Sequence, residues 1–242
     1  MCGNVVAFET SIAAAAIPRR SREDGHPVFS TAVARFPPCR NDGNEEFRQF
    51  RTTAKLTIDN APVLLTTDRL TIRRITQADA QPYLEIFSDA NVMRYWGSPA
   101  LTELKQADEK INQILEHYEK GDLFQLAIER RADAKMIGTC TLWNIHLQNC
   151  RAEVGYALGR SYWGYGYMFE AMQALVEHAF RVMRLHRLEA DIDPRNEASA
   201  KSLARLGFTR EGLLRERWIV GGEISDSALY GLLASEWRGA ST

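Results

Sequence analysis

The sequence predicts an α/β fold of the α+β kind, in which a mixed sheet of about seven strands is flanked by four helices. Segments with period-two alternation recur along the chain, and segments with helical periodicity lie between them. Two neighbouring strand segments are separated only by the polar turn RADA, which indicates an antiparallel hairpin. Residues 152–183 pass from an alternating strand through a Gly-x-Gly loop into an amphipathic helix. This strand–loop–helix unit would pack its helix against the sheet.

Residues 1–61 are expected to form a disordered extension, and residues 62–242 a single domain. Four prolines between positions 18 and 38, with clustered Asn, Asp and Arg, interrupt every periodic pattern in the first segment. The run AAAAIPRRSR is compatible with an organelle targeting segment, although Glu23 and Asp24 dilute that pattern. An interaction arm and a start site further downstream are the other interpretations.

The first elements of the domain are a strand and two helices. The segment LTIRRI, residues 70–75, alternates between apolar and polar side chains, as a half-buried strand does. Thr76 and Asp79 form a capping-box pattern that predicts the start of a helix. After the loop SDANVMRYWGSP, Thr102 begins a second helix, which Gly121 ends. Its apolar positions repeat at helical spacing: Leu104, Ala107, Ile111, Leu115 and Tyr118.

The remaining elements are predicted in the order three strands, helix, strand, helix and two strands. The helix of the central unit follows the Gly-x-Gly loop, and a later helix ends before Gly207, which is suited to a C-cap. The predicted strands cover residues 123–129, 136–145, 151–158, 187–193, 213–220 and 228–233.

The Gly-x-Gly loop is the clearest candidate binding element. Gly164 and Gly166 can adopt backbone conformations closed to other residues, so the amides of residues 164–169 can converge at a helix N-terminus, where a phosphate or pyrophosphate would bind. A tight turn without a ligand is the alternative. Four aromatic residues within positions 162–167 are unusual in a solvated turn and favour binding. The P-loop lysine and the third glycine of a dinucleotide loop are both missing.

The loop and the helix after it, YWGYGYMFEAM, resemble the acetyl-CoA loop of the GNAT N-acetyltransferases, in particular the Rim-type ribosomal-protein N-terminal acetyltransferases. The resemblance extends over about 65–236 and implies a mostly antiparallel central sheet. It also implies acetyl-CoA as co-substrate and no metal. The family's usual Arg or Gln three positions before the first glycine corresponds to Ser161, so this element is missing here.

The resemblance also assigns cofactor-binding positions. The strand before the loop would bind the pantetheine arm through its backbone, and the segment RNEASAKSLARLGFTREG, residues 195–212, resembles the second cofactor motif. Asn196 and Gly207 could equally be plain helix caps. The cofactor-binding residues implied by the resemblance are Tyr156, Ala157, Leu158, Gly164, Tyr165, Gly166, Tyr167, Met168, Phe169, Asn196 and Ser199.

Glu153 is the candidate general base. Strand alternation groups it with Gly155 and Ala157, a face of small residues that would border a cavity, and several GNAT enzymes use a Glu on this strand. An ordinary surface Glu, or one paired with Arg151 or Arg73, is the alternative.

The proton donor stays unassigned at this stage. The position where many relatives carry a Tyr is Leu203 in this chain, and Ser202, Tyr230 and Tyr156 are possible substitutes.

Composition excludes several other classes. The formal net charge is −1, which gives no general attraction to nucleic acid or to an anionic membrane. The four cysteines and five histidines lack metal-ligand spacing, so no metal is predicted. No apolar run approaches the roughly 20 residues of a membrane span. The run at 11–17 is too short for a secretory signal, and a cytoplasmic protein is predicted.

The predicted activity is acetyl transfer from acetyl-CoA to a primary amine by direct attack in a ternary complex. The resemblance favours a protein N-terminal α-amine as acceptor, and Tyr95 and Trp96 are candidates for lining its site. A small amine such as a polyamine, amino sugar or antibiotic is the alternative, as is a module that binds acetyl-CoA without turnover. A nucleotide-phosphate binder is the weaker third reading. The sequence leaves both a monomer and a homodimer open.

Overall fold

The computed structural model describes residues 63–239, so the predicted extension at 1–61 lies outside the described residues. The strands are β1 (Val63–Thr66), β2 (Leu70–Arg74), β3 (Phe124–Arg130), β4 (Lys135–His146), β5 (Arg151–Leu158), β6 (Arg187–Ile192), β7 (Thr209–Val220) and β8 (Glu223–Leu233). The helices are α1 (Ala80–Phe87), α2 (Ala90–Met93), α3 (Leu104–Lys120), α4 (Tyr167–Arg181) and α5 (Glu197–Arg205).

The eight described strands form one sheet in the order β1-β2-β3-β4-β5-β6-β8-β7. Every neighbouring pair is antiparallel except β5 and β6, which are parallel and are joined through α4. A parallel pair needs such a crossover because its strands cannot be joined by a tight turn. The prediction of a mixed, mostly antiparallel sheet flanked by helices is confirmed.

The predicted numbers of strands and helices were each one too low for the described range. β1 has only four residues, VLLT, and no alternation, so its strand character comes from pairing with β2. Helix α2 lies inside the segment predicted as a loop, and the carboxylate of Asp89 caps it by accepting from the Asn91 amide at 2.8 Å. Four residues are too few to show helical periodicity.

Local signals fixed the ends of several elements. Thr76 and Asp79 form the predicted capping box, at a short 3₁₀ turn that leads into α1. Helix α3 begins at Leu104 rather than Thr102, and it ends at Lys120, where Gly121 with its left-handed φ of 73° is the C-cap. The predicted bounds of β5 agree with the observed strand.

The C-terminal hairpin is longer than predicted. β7 begins at Thr209 instead of residue 213, and β8 begins at Glu223 instead of residue 228. β7 is the edge of the sheet and is largely exposed, so its sequence has little of the alternation that marks a half-buried strand. Gly221 and Gly222, with φ of 58° and 87°, form the turn that joins the two strands.

The core lies on both faces of the central strands. Consecutive residues Leu126, Ala127 and Ile128 of β3 are all at most 1% exposed, which requires cover on either side of the sheet. Helix α4 packs on β1, β2, β4 and β5, and α1 packs on α3 and β4. The buried face of α4 consists of Ala171, Met172, Leu175, Val176, Ala179 and Phe180.

Candidate active site

The parallel strands β5 and β6 separate before either strand ends. Their pairing stops at Glu153 and Glu189. β5 nevertheless continues to Leu158, and β6 continues along β8 to Ile192. A gap therefore opens between the second half of β5 and the end of β6.

Along β5, the backbone N–H and C=O groups of every second residue face β4, and those of the residues between them face the gap. The amide of Gly159 donates to a carbonyl of β4 at 2.8 Å. Because the direction alternates along an antiparallel pair, the N–H and C=O groups of Tyr156 and Leu158 face the gap, whereas those of Ala157 face β4. The edge of β5 thus presents the amides of Tyr156 and Leu158 to the gap.

The Gly-x-Gly loop leads directly into α4. Gly164 and Gly166 have left-handed φ of 82° and 79°, which glycine adopts without the strain of a Cβ. The first intrahelical bond runs from the Glu170 amide to the Gly166 carbonyl at 3.1 Å, so the amides of residues 167–169 precede it. Amides at this position of a helix bind anions. A Cβ on Gly164 would meet no heavy atom within 4 Å, so this side of the loop is open.

A clamp of long-range contacts holds the loop. The carboxylate of Glu170 accepts from the Thr67 hydroxyl at 2.6 Å and from the Arg69 amide at 3.0 Å and Nε at 2.6 Å. Arg69 Nη1 donates to the carbonyl of Tyr165 at 2.9 Å, and its guanidinium lies 4.6 Å from the centre of the Tyr167 ring. Sequence reasoning missed Arg69, because no local pattern marks a contact across about 100 residues.

Helix α5 borders the other side of the gap. The side chain of Asn196 accepts from the Ser199 amide at 3.1 Å, which is the N-cap role considered from sequence. The Tyr156 hydroxyl donates to the Ser199 carbonyl at 3.4 Å. Burial raises the pKa of Tyr156, although hydrogen bonds to serines of α5 lower it. Leu203 is fully buried, so this position contributes to the core.

Glu153 lies half-buried on β5 and is held by a neighbour on β4. Its Oε1 accepts from Nδ2 of Asn144 at 2.6 Å. The two arginines considered as its partners bind other carboxylates. Arg151 pairs with Glu189 at 2.6 Å, and Arg73 pairs with Asp79 and Glu129.

A cavity of about 570 Å³ lies beside Glu153 and the gap. Tyr95 and Trp96 line it, and a Cβ on Gly97 would lie 3.3 Å from the ring of Trp218, so the loop before α3 contacts β7 there. Sequence reasoning missed Trp218 because β7 was predicted without its register against this loop. Residues from six parts of the chain line the cavity, including Tyr95, Trp96, Trp143, Glu153, Tyr156 and Trp218.

Three other carboxylates of the cavity wall are paired with arginines. Asp191 lies 3.3 Å from Arg217, and Asp193 lies 2.6 Å from Arg195. Glu223 lies 2.5 Å from Arg195. Each of the three contacts an arginine, with Arg195 shared by two of them, whereas the contact of Glu153 is with the neutral amide of Asn144.

Residues 63–239 contain neither a candidate metal site nor a membrane-spanning helix. In this range, three or more His, Cys, Asp or Glu side chains are nowhere grouped so that they could hold a metal ion. Each helix of the range is too short or too polar to cross a membrane.

Comparisons with known proteins agree with the fold. Residues 69–209 match the family model described as an acetyltransferase (GNAT) domain. The uncharacterized N-acetyltransferase p20 of Bacillus licheniformis is 36% identical over 175 residues, which cover 72% of this chain and 98% of the relative. The ribosomal protein uS5 alanine N-acetyltransferase of Escherichia coli (strain K12) is 29% identical over 187 residues, covering 74% and 95%. The structure of Mycobacterium smegmatis RimJ in complex with CoA-disulfide matches with a TM-score of 0.63 at 25% identity, covering 70% and 84%.

Proposed function

The chain belongs to the GNAT acetyltransferase family and is an acetyl-CoA-dependent N-acetyltransferase, and on this premise we propose that its acceptor is the α-amine at the N-terminus of a protein. The observation that carries the proposal is the gap between β5 and β6, which opens beside Tyr156 and Ser199 in the wall of the cavity that also contains Glu153. The amine would attack the thioester directly in a ternary complex.

Different residues around the gap would bind different parts of acetyl-CoA. The open loop at 164–169 would hold the pyrophosphate through its amides, and the edge amides of Tyr156 and Leu158 would hold the pantetheine arm. Ala157 is 4% exposed and its backbone faces β4, so this residue would support the strand and not the arm. Asn196 and Ser199 at the start of α5 border the same gap. Arg69, whose charge is paired with Glu170, supports the loop through the carbonyl of Tyr165.

Glu153 would accept the proton that the amine loses as it attacks. Its carboxylate lines the cavity, and its Oε1 is occupied by Asn144, which leaves Oε2 for the amine or for a bridging water. Attack forms the new C–N bond, and collapse of the tetrahedral intermediate breaks the C–S bond. The departing thiolate needs a proton. Tyr156 is our candidate donor, because it lines the same cavity and carries a hydroxyl that is protonated at neutral pH.

The charge of the cavity favours a single amine over a polyamine. A polyamine carries several positive charges, and a carboxylate without a cationic partner is the group that neutralises one of them best. Here Asp191 contacts Arg217, and Asp193 and Glu223 share Arg195, so Glu153 is left as the carboxylate of the cavity wall without an arginine contact. One relative in the comparison acts on the alanine of ribosomal protein uS5. A small-molecule amine remains the second candidate, because the aromatic walls would also suit a compact amine.

The test compares acceptors with the purified full-length chain. Release of free CoA from acetyl-CoA is followed with three acceptors. These are a peptide that begins with alanine, the same peptide with a blocked N-terminus and an internal lysine, and spermine. We expect release with the first peptide alone, and mass spectrometry should find the acetyl group on its α-amine. Higher kcat/KM for spermine than for every free-N-terminus peptide would move the function to small amines.

A further inference from the structure

We propose that Asn144 is a positioning residue that fixes the carboxylate of Glu153 for proton transfer. This inference rests on the proposed function of Glu153 as the base. Nδ2 of Asn144 donates to Oε1 of Glu153 at 2.6 Å. The two residues lie on neighbouring strands and are nine positions apart in the chain. Asn144 acts through Glu153, and the contact gives it no role on the acceptor itself.

A β-bulge brings the two side chains together. Trp143 of β4 pairs with Glu153 of β5, and the next pair joins His146 with Arg151. Two residues of β4 therefore lie opposite one residue of β5, which is the pattern of a bulge. In a regular strand Asn144 would project from the face opposite to Trp143, away from Glu153. The bulge turns Asn144 toward Glu153.

The backbone conformation explains why this residue is asparagine. Asn144 has a φ of 47°, in the left-handed region. Apart from glycine, Asn and Asp adopt this region most readily, because their short polar side chains can bond locally. Among glycine, asparagine and aspartate, asparagine is the residue that both adopts a left-handed backbone readily and carries a side-chain N–H donor for a carboxylate. Glycine would keep the bulge without the donor, and aspartate would place a second carboxylate against Glu153.

These alternatives define the experiment. Asn144→Gly should keep the bulge, the melting temperature and the KM for acetyl-CoA, yet lower kcat roughly tenfold or more, because a mobile Glu153 is less often in the geometry for transfer. Asn144→Asp should move the acid limb of the pH profile of kcat to higher pH, because a neighbouring carboxylate disfavours the charged form of Glu153. Asn149→Gly, in the exposed turn after β4, is the matched control and should leave kcat unchanged.

The pH readout is interpretable because the other titratable groups stay the same in all variants. The cavity wall carries, besides Glu153, the groups of Arg94, Tyr95, Tyr156, Asp191, Asp193, Arg195 and Glu223. A variant of Asn144 changes the immediate neighbour of Glu153 and leaves these in place. A purely structural role of Asn144 would lower stability without moving the acid limb.

A double-mutant cycle separates this inference from the proposed function. If Asn144 acts through Glu153, Asn144→Gly should have little further effect on kcat in the Glu153→Gln background. Full turnover of Glu153→Gln alone would overturn the proposed role of Glu153. A large effect of Glu153→Gln with full turnover of Asn144→Gly would overturn the inference about Asn144 only. Equal losses from Asn144→Gly in both backgrounds would show that Asn144 acts elsewhere, which also overturns it.

Discussion

The Nε and Nη2 atoms of Arg69 both lie 2.6 Å from Oε2 of Glu170. This pair joins the turn between β1 and β2 to the first turn of α4, and Arg69 also holds the carbonyl of Tyr165 in the glycine loop. Burial raises the pKa of Glu170, but the contacts with Thr67 and Arg69 lower it by a larger amount. The pKa is therefore below its ordinary value, and Glu170 is charged at neutral pH. The loop is therefore preorganised by an ionic contact outside the loop itself.

Removing this contact should weaken acetyl-CoA binding. Arg69→Ala frees the carbonyl of Tyr165 and lets the loop sample other conformations, so binding must restore the order that Arg69 now supplies. We expect the Kd for acetyl-CoA to rise about tenfold or more, equivalent to about 1.4 kcal/mol. Calorimetric titration measures it. Arg181→Ala, at the far end of α4 in an exposed pair with Glu177, is the control. Equal affinity of both variants would rule out the clamp.

Substitution of the loop glycines should affect binding more than folding. In Gly166→Val the Cβ would lie 3.6 Å from Nη2 of Arg69, so the side chain would disturb the contact that holds the loop, and it would oppose the φ of 79°. Gly222→Val, in the hairpin turn with a φ of 87°, carries a similar backbone strain away from the loop. We expect similar losses of melting temperature in both variants, with acetyl-CoA binding lost only in Gly166→Val. Retained binding in Gly166→Val would end the assignment of the loop.

Glu153→Gln separates chemistry from binding. The amide keeps the size of the side chain, so the affinity for acetyl-CoA should persist while kcat falls on the order of a hundredfold near neutral pH. The defect should shrink at high pH for a protein N-terminus, because an α-amine of pKa near 8 arrives increasingly neutral. A lysine-like amine near 10 would still need the base. Stopped-flow and steady-state measurements of thiol release between about pH 6.5 and 9.5 check the size of the defect and its dependence on pH. Turnover equal to wild type would exclude Glu153 as the base.

Asp79 should stabilise the fold in a pH-dependent manner. It is 4% exposed, and Arg73 contacts both of its oxygens at 2.7 and 2.8 Å. Burial raises the pKa of Asp79, but the contacts with Arg73 and Thr76 lower it below its ordinary value. A lowered pKa in the folded state means that this stability is present above the unfolded value, near 3.9, and is lost as the pH falls through the folded value.

Asp79→Asn tests this stability, because it keeps an oxygen for the cap and removes the charge. The free energy of unfolding at pH 7 should fall by about 2–3 kcal/mol. The difference from wild type should shrink below about pH 4. Urea unfolding at pH 7 and at a pH below about 4 measures the difference in the free energy of unfolding between variant and wild type. Asp133→Asn, in the more exposed pair with Arg130, should give a smaller loss. A difference that is constant with pH would show that packing, and not charge, explains the effect.

Much of the fold was readable from the sequence because its signals are local. The alternation of residues 151–158 predicted β5 at its observed bounds, and Gly121 marked the end of α3. The glycines of the loop indicated an anion site for the same reason, since the backbone freedom of Gly164 and Gly166 is a property of those residues alone. The edge strand β7 was predicted too short, because exposure on both faces removes the alternation.

The sequence by itself determined the order of the elements apart from β1 and α2, and it determined the glycine loop, since each depends on residues that are neighbours in the chain. Glu153 became the candidate base through strand alternation together with the family resemblance. The tertiary structure alone decided where β5 and β6 part, which forms the gap. It also decided that Arg69 reaches Glu170 across about 100 residues and that a bulge turns Asn144 toward Glu153. Periodicity reports which face of an element is buried, but it carries no information about which element packs there. Contacts between distant segments are fixed only when the packed core selects one register for all strands.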